Sequence, residues 1–373
     1  MEDEAFERRN GAALASARRV LSRSFLARTL QDSLADLVAH GPASYDLSRP
    51  VDVYGGGIVA DLESRTAEIL GTEAAAWFPT GTMAQQAALR CWAGRTASPV
   101  VALHPLAHPE THERDALKVL TGLRVVHPTA DPRPPTAAEV LDLDEPFGTL
   151  MLELPLREAG FLLPSWEELT ATVTAARERD AVVHFDGARL WETTVHFGRS
   201  LPEIVALADS VYVSFYKSLG GHSGAALAGT AEFVAETRAW RHRYGGRLFQ
   251  QWPAALSALV GLDRELPRLP GYVAQARVVA AAMTEGFAGL PWARVHPEVP
   301  HTHQFRVLLP YPADVLAEAS VRQAEESGVG LFSFWREAAP GLSATEVTVA
   351  AEGLDWTHRD VVEAVGGFLA LLP

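Results

Sequence analysis

Of the 32 Lys and Arg residues, only Lys118 and Lys217 are lysines. Arg fills nearly every other cationic position, so a lysine in this chain marks a place where a guanidinium would not serve. A lysine amine can lose its proton and attack a carbonyl to form an imine, whereas a guanidinium stays protonated. Asp186 closes the apolar run 181–185 and is followed by Gly187. A carboxylate there can pair with a protonated ring nitrogen. Thr80-Gly81-Thr82 interrupts an apolar run just ahead of a helical stretch. Its hydroxyls, with the free N–H groups and dipole of a helix start, can cup a phosphate. Each feature also has a plainer reading. Asp-Gly is a common turn pair, Thr80 could be only a helix cap, and Lys217 could be a solvated loop residue. Lys118, on an apparent helix through Leu117 and Leu120, reads as a surface residue.

Bringing an amine and a carboxylate together requires a scaffold, and the pattern supplies one. From residue 100 onward short apolar runs (100–103, 124–126, 149–154, 181–185 and 211–215) alternate with helical ones near 110–120, 165–179 and 202–207. Ser165 with Glu168 forms a capping box at the second of those helices. The alternation predicts a parallel sheet with crossover helices. Ligands of such sheets sit outside the carboxyl ends of the strands. Asp186 follows one run directly and Lys217 follows the next by two residues, so both should emerge on one edge. Residues 5–40 read as a helix carrying Leu21, Phe25, Leu26, Leu30 and Leu34, stopped by Gly41-Pro42. The expected division is an N-terminal helical arm over 1–45, a large α/β domain over 46–255 and a smaller α+β domain over 256–373. In the last, an Ala-rich helix over 254–266 resumes after Pro270. It is followed by apolar runs at 304–309, 329–332 and 347–350, a helix at 313–326 and a final helix from Thr357.

Composition narrows the partners. A formal net charge of -14 argues against broad binding to nucleic acid or anionic membrane, both of which need clustered positive charge. A small molecule fits better. Cys91, the lone cysteine, sits among Ala87, Ala88, Leu89 and Trp92 and reads as a buried thiol in a reducing compartment. The acidic start (Glu2, Asp3, Glu4) resembles neither a signal peptide nor a membrane span. A cytoplasmic protein without a metal site is expected.

A scarce lysine, a carboxylate and an anion cup at one sheet edge match the needs of pyridoxal 5'-phosphate. The lysine takes the aldehyde, the carboxylate keeps the pyridine nitrogen protonated so the ring accepts electrons, and the helix start holds the phosphate.

These residues also resemble a known family. Tyr54-Gly55 to Glu63, Phe78-Pro79-Thr80-Gly81-Thr82-Met83, His184-Phe185-Asp186-Gly187-Ala188-Arg189-Leu190 and Asp209-Ser210-Val211 to Lys217 resemble, in matching order from about 52 to 256, the threonine aldolase and β-eliminating lyase family. The resemblance implies the aspartate-aminotransferase-like, fold type I architecture. That is an α/β fold with a mainly parallel, seven-stranded type of sheet and a small α+β C-terminal domain. By resemblance, Lys217 would carry the cofactor and Asp186 would pair with its ring nitrogen. Gly81, Thr82 and Ser214 would bind its phosphate, His108 would stack on its ring with Glu113 behind, and Arg189 would bind the substrate carboxylate. His112 is a conceivable base. The implied reaction is retro-aldol cleavage of a β-hydroxy amino acid to glycine and an aldehyde, in a homodimer or homotetramer.

The chain departs from the family in several places. Tyr45-Asp46-Leu47-Ser48-Arg49-Pro50 replaces a Ser-Asp-Thr segment, Glu153-Leu154-Pro155 stands for Glu-Asn-Thr, and Gly245 to Gln250 lacks an arginine at Phe249 that Arg247 could replace. The strand Glu346 to Ala350 offers no second carboxylate-binding arginine. His301 and His303 read equally as new donors or as surface histidines. Two other functions therefore stay open: a different pyridoxal-phosphate reaction (transamination, racemisation, β-elimination or C–C bond formation), and a non-catalytic amino-acid- or cofactor-binding protein on the same fold.

Overall fold

The computed structural model describes residues 2–22 and 29–373. Contacts divide the chain into two compact units, Asp36–Pro267, and Met1–Ala35 with Arg268–Pro373. The N-terminal segment holds α1 (Glu2–Ser16), β1 (Arg19–Val20) and α2 (Leu30–Ser44). There follow α3 (Ile58–Leu70), β2 (Ala74–Phe78), α4 (Gly81–Thr96), β3 (Val100–Ala102), α5 (His108–Thr111), α6 (Ala116–Thr121), β4 (Arg124–Val126) and α7 (Ala137–Leu141). Next come β5 (Thr149–Glu153), α8 (Trp166–Glu178), β6 (Val182–Gly187), α9 (Thr194–Phe197), α10 (Leu201–Val205), β7 (Ser210–Ser214), β8 (Ala225–Gly229), α11 (Ala231–Arg243) and α12 (Trp252–Arg264).

The unit Asp36–Pro267 is built on a seven-stranded sheet in the order β2-β8-β7-β6-β5-β3-β4. The pairs β4–β3, β3–β5, β5–β6 and β6–β7 are parallel, while β8 runs antiparallel to both β7 and β2. The mainly parallel α/β sheet expected from the alternation is present. The parallel strands β3, β5, β6 and β7 are buried along nearly their whole length, as a sheet covered on both faces requires, while the edge strand β4 is not. Ala84, Ala87, Ala88, Cys91 and Trp92 of α4 pack on Tyr212 of β7 and on Ala225 and Leu227 of β8. Cys91 is the buried thiol expected, and burial raises its pKa.

The other unit contains α13 (Leu269–Gly286), β9 (Arg294–His296), β10 (Gln304–Leu309), α14 (Ala313–Ser327), β11 (Val329–Gly330), β12 (Arg336–Ala339), β13 (Leu342–Thr348) and α15 (His358–Leu369). Its four-stranded sheet runs β12-β13-β10-β9. Phe305, Val307 and Leu309 pack there with Met283, Trp335 and Phe368.

Several local readings change. The helix expected over 5–40 ends at Ser16, and Arg19–Val20 then pairs in parallel with Val329–Gly330. Phe25 and Leu26 lie outside the described residues. Pro42 does not stop α2, which continues to Ser44. The helix expected over 110–120 is two short ones, because Arg114 and Asp115 take φ values of 52° and 59° between them. The run expected at 347–350 is the end of a longer strand, β13. Among the described residues no helix is long and apolar enough to cross a membrane.

Candidate active site

The register of the parallel strands sets the site. Glu153 on β5 pairs with Asp186 on β6, and Asp186 pairs with Tyr212 on β7. Two carboxylates and a phenol therefore form one row at the carboxyl ends. Lys217 emerges five residues beyond Tyr212. A cavity of about 360 Å³ opens at this edge, lined by Lys217, Asp186, His108, Gln85 and the segment Pro79–Thr82, with Tyr212, Tyr216, Glu113 and His222–Gly224 completing it.

The electrostatics follow from burial. Lys217 is pushed below the ordinary lysine range by desolvation and by the charge of Arg189, against the pull of Asp186 and Glu153. Glu153 and Asp186 are both pushed up by desolvation. Glu153 feels the neighbouring carboxylate, whereas Asp186 is held back by the charges of Lys217 and His108. The site thus combines an amine that releases its proton readily with two carboxyls that resist releasing theirs. Asp186 is 1% exposed, and its Oδ1 accepts the Ala188 N–H at 3.1 Å.

Glu153 is more than a neighbouring charge. Its carboxylate accepts the backbone N–H of His108 at 2.8 Å and that of Arg157 at 3.2 Å, joining two loops at the mouth of the cavity. His108 in turn places Nδ1 3.0 Å from Glu113, whose side chain is fully buried and also accepts from Gln86 Nε2 at 3.2 Å. A carboxylate there draws the ring proton to Nδ1, leaving His108 Nε2 as an acceptor. His112 lies beside it, with ring centroids 5.2 Å apart, and Glu158 holds its Nε2 at 3.0 Å.

At the other end, Thr80 caps α4, its hydroxyl accepting from Met83 N at 3.2 Å. Gly81 and Thr82 fill the first turn. A Cβ on Gly81 would overlap the Tyr212 hydroxyl, so the backbone here packs against Tyr212 in a way only glycine allows.

Not every expected residue reaches the cavity. Ser214 is fully buried and donates to the Ala188 carbonyl at 2.7 Å, tying β7 to the turn after β6. Ser223 lines the cavity instead. Arg189 stacks over Phe161 at 5.3 Å, and its Nε is buried without a hydrogen-bond partner among the described residues. Arg247 turns onto Tyr54, its Nε donating to that residue's carbonyl. His303, in the other unit, is 1% exposed, stacked on Tyr272 and bonded to the Val349 carbonyl at 2.6 Å, so it is not a surface histidine. Gln85 and Gln86 were not singled out by the sequence, and Glu153 figured only as the first residue of the segment that stands for Glu-Asn-Thr. The signal for the first two was present as adjacent amides on a helix otherwise built of Ala, Leu, Cys and Trp on that side.

This architecture is that of the fold type I pyridoxal-phosphate enzymes. More narrowly, a model described as Beta-eliminating lyase matches residues 48–307, and the chain belongs to that family. The low specificity L-threonine aldolase of Escherichia coli (strain K12) is 31% identical over 225 residues, 58% of this chain and 67% of that one. A solved structure from Listeria monocytogenes EGD-E, assigned as an L-allo-threonine aldolase, is 34% identical with a TM-score of 0.87 over 97% of this chain and 99% of that one. Another, from Exiguobacterium sp. 255-15 and assigned as an aromatic amino acid beta-eliminating lyase/threonine aldolase, is 33% identical with a TM-score of 0.87 over 98% and 100%.

Proposed function

We propose that this chain is a pyridoxal-phosphate-dependent lyase that cleaves the Cα–Cβ bond of a β-hydroxy amino acid, giving glycine and an aldehyde. The observation that carries the reading is the convergence of Lys217, Asp186 and the α4 N-terminus on one cavity. The residues fit the cofactor. A buried amine with a depressed pKa faces the cavity, a carboxylate lines it, and Gly81 and Thr82 bring the backbone of the α4 start to its wall.

Lys217 would hold the cofactor aldehyde, Asp186 its ring nitrogen, and Gly81 and Thr82, with Ser223 as a new helper, its phosphate. Bound there, the cofactor supplies an electron sink for the carbanion left at the substrate's α carbon. His108 covers the cavity and presents Nε2, which takes the proton of the substrate β-hydroxyl. Glu113 stabilises the resulting imidazolium as a paired carboxylate. Arg189 does not line the cavity itself, but its charge acts on Lys217, and from there it would bind the substrate carboxylate through its planar fork.

A homodimer or homotetramer is part of the same reading. It is supported by the exposed aromatic pair Tyr54 and Phe249, 5.4 Å apart, beside exposed Val53 and Leu248. Sedimentation giving a monomer would remove that part.

The test is glycine and aldehyde release from a panel of L- and D-β-hydroxy amino acids by cofactor-loaded protein, with Lys217→Ala as the control. Release that needs Lys217 supports the reading. Cofactor binding with no release from any member would move the reaction to another class.

A further inference from the structure

Gln85 follows Gly81 by one turn of α4, and His184 precedes Asp186 by two residues on β6. The Gln85–His184 bond therefore joins the element that carries Gly81 to the one that carries Asp186. It is 1% exposed and lines the cavity, and its Nε2 is buried without a hydrogen-bond partner among the described residues. An amide nitrogen left in that state in a packed core points to an absent acceptor.

The hydrogen bonds behind it fix its direction. Trp92 Nε1 lies 2.7 Å from Ser210 Oγ, and an indole nitrogen only donates. Ser210 Oγ is also 2.7 Å from His184 Nδ1, and His184 Nε2 is 2.7 Å from Gln85 Oε1. His184 is fully buried, and burial pushes it down to about 3, so its ring is neutral and carries one proton. With the indole donating to Ser210 Oγ, the hydroxyl can pass its own proton to His184 Nδ1, and the neutral ring then donates from Nε2 to the glutamine oxygen. Gln85 Oε1 is then taken by His184, which leaves the Nε2 hydrogens for an acceptor outside the relay.

We infer that Gln85 is a cofactor-binding residue, donating from Nε2 to an oxygen acceptor of a phosphorylated pyridine bound in the cavity, and that Trp92, Ser210 and His184 are positioning residues that set its orientation. The inference rests on the pyridoxal-phosphate reading of the cavity. It assigns a function to a buried polar chain that structural packing alone leaves unexplained, since an apolar core would need none of these groups.

The experiment measures the Kd of apoprotein for pyridoxal 5'-phosphate by equilibrium dialysis, with Tm recorded for each variant. Gln85→Leu should weaken binding about tenfold and Ser210→Ala about threefold, the scale of one neutral hydrogen bond and of its loosened orientation. In the double variant Ser210→Ala should add nothing, because its effect passes through Gln85. A folded Gln85→Leu protein with wild-type Kd overturns the inference. Should Gln85→Leu fail to fold, a wild-type Kd in Ser210→Ala overturns it instead, and additive effects overturn the relay. Wild-type protein that shows no saturable binding would refute the cofactor reading itself, a result distinct from a variant that binds as wild type does.

Discussion

Replacing Glu113 by Gln isolates the control of His108. The buried carboxylate takes two donors, His108 Nδ1 at 3.0 Å and Gln86 Nε2 at 3.2 Å. A glutamine keeps the shape but has one oxygen for those two donors, so its own NH2 must face one of them. Either His108 loses its charged partner or Gln86 does. A hydrogen bond to a charged group contributes about 1.5–3 kcal/mol, and each factor of ten in rate corresponds to about 1.4 kcal/mol. With His108 as the base, kcat/KM for retro-aldol cleavage should fall about 10- to 150-fold. The Kd for pyridoxal 5'-phosphate should stay within about twofold, because Lys217, Asp186 and the α4 N-terminus are untouched. Steady-state aldehyde production, read through a coupled aldehyde reductase, gives the rate, and dialysis gives the Kd. A variant with wild-type kcat/KM would refute the assignment of His108 as a base oriented by Glu113. An equal loss of cofactor binding would mean that Glu113 acts on the fold of the mouth rather than on the imidazole.

Three further outcomes follow from the geometry. Arg189→Lys should raise KM about tenfold or more with a smaller change in kcat, because an ammonium cannot form the two parallel bonds of a guanidinium; an unchanged KM places the substrate carboxylate elsewhere. Gly224→Ala should destabilise the fold by about 3 kcal/mol or more in urea unfolding, since its φ is 98° and a Cβ would run into the ring of Trp77; a loss below about 1 kcal/mol would contradict that contact. The association rate of pyridoxal 5'-phosphate should rise with pH as Lys217 loses its proton, with a midpoint near the value of about 8 to which burial and the charge of Arg189 push it down. The sign is that of a base whose charged form is disfavoured by burial, so the reactive neutral amine accumulates earlier than in free lysine. A rate still climbing above pH 10 would place an ordinary lysine there.

Some parts of the molecule were legible in the sequence for physical reasons. The buried parallel strands β5, β6 and β7 carry continuous apolar runs, and the residues after them must emerge at the sheet edge, so the sequence alone pairs Asp186 with Lys217. β8 was not legible. Its Ala-Ala-Leu-Ala-Gly sequence has little strand propensity, and it becomes a strand because small side chains fit between β7 and β2. β12, Arg-Glu-Ala-Ala, reads as helical and is held in the sheet only by its pairing with β13. The break between α5 and α6 escaped notice because Arg114 and Asp115, rather than Gly or Pro, take the positive φ values. Gln85, Gln86 and the role of Glu153 were hidden for a different reason. A buried polar residue is recognised by its partners, and those lie on other elements.

The most direct test of the central claim uses the chain's own composition. Apoprotein is incubated with pyridoxal 5'-phosphate, reduced with borohydride, and the labelled peptide is mapped by mass spectrometry. With only Lys118 and Lys217 as lysines, and Lys118 exposed on α6, the result is close to binary. Stoichiometric label on Lys217, abolished in Lys217→Ala, is the predicted outcome; label confined to Lys118 or the chain terminus, or no label at all, would contradict the account.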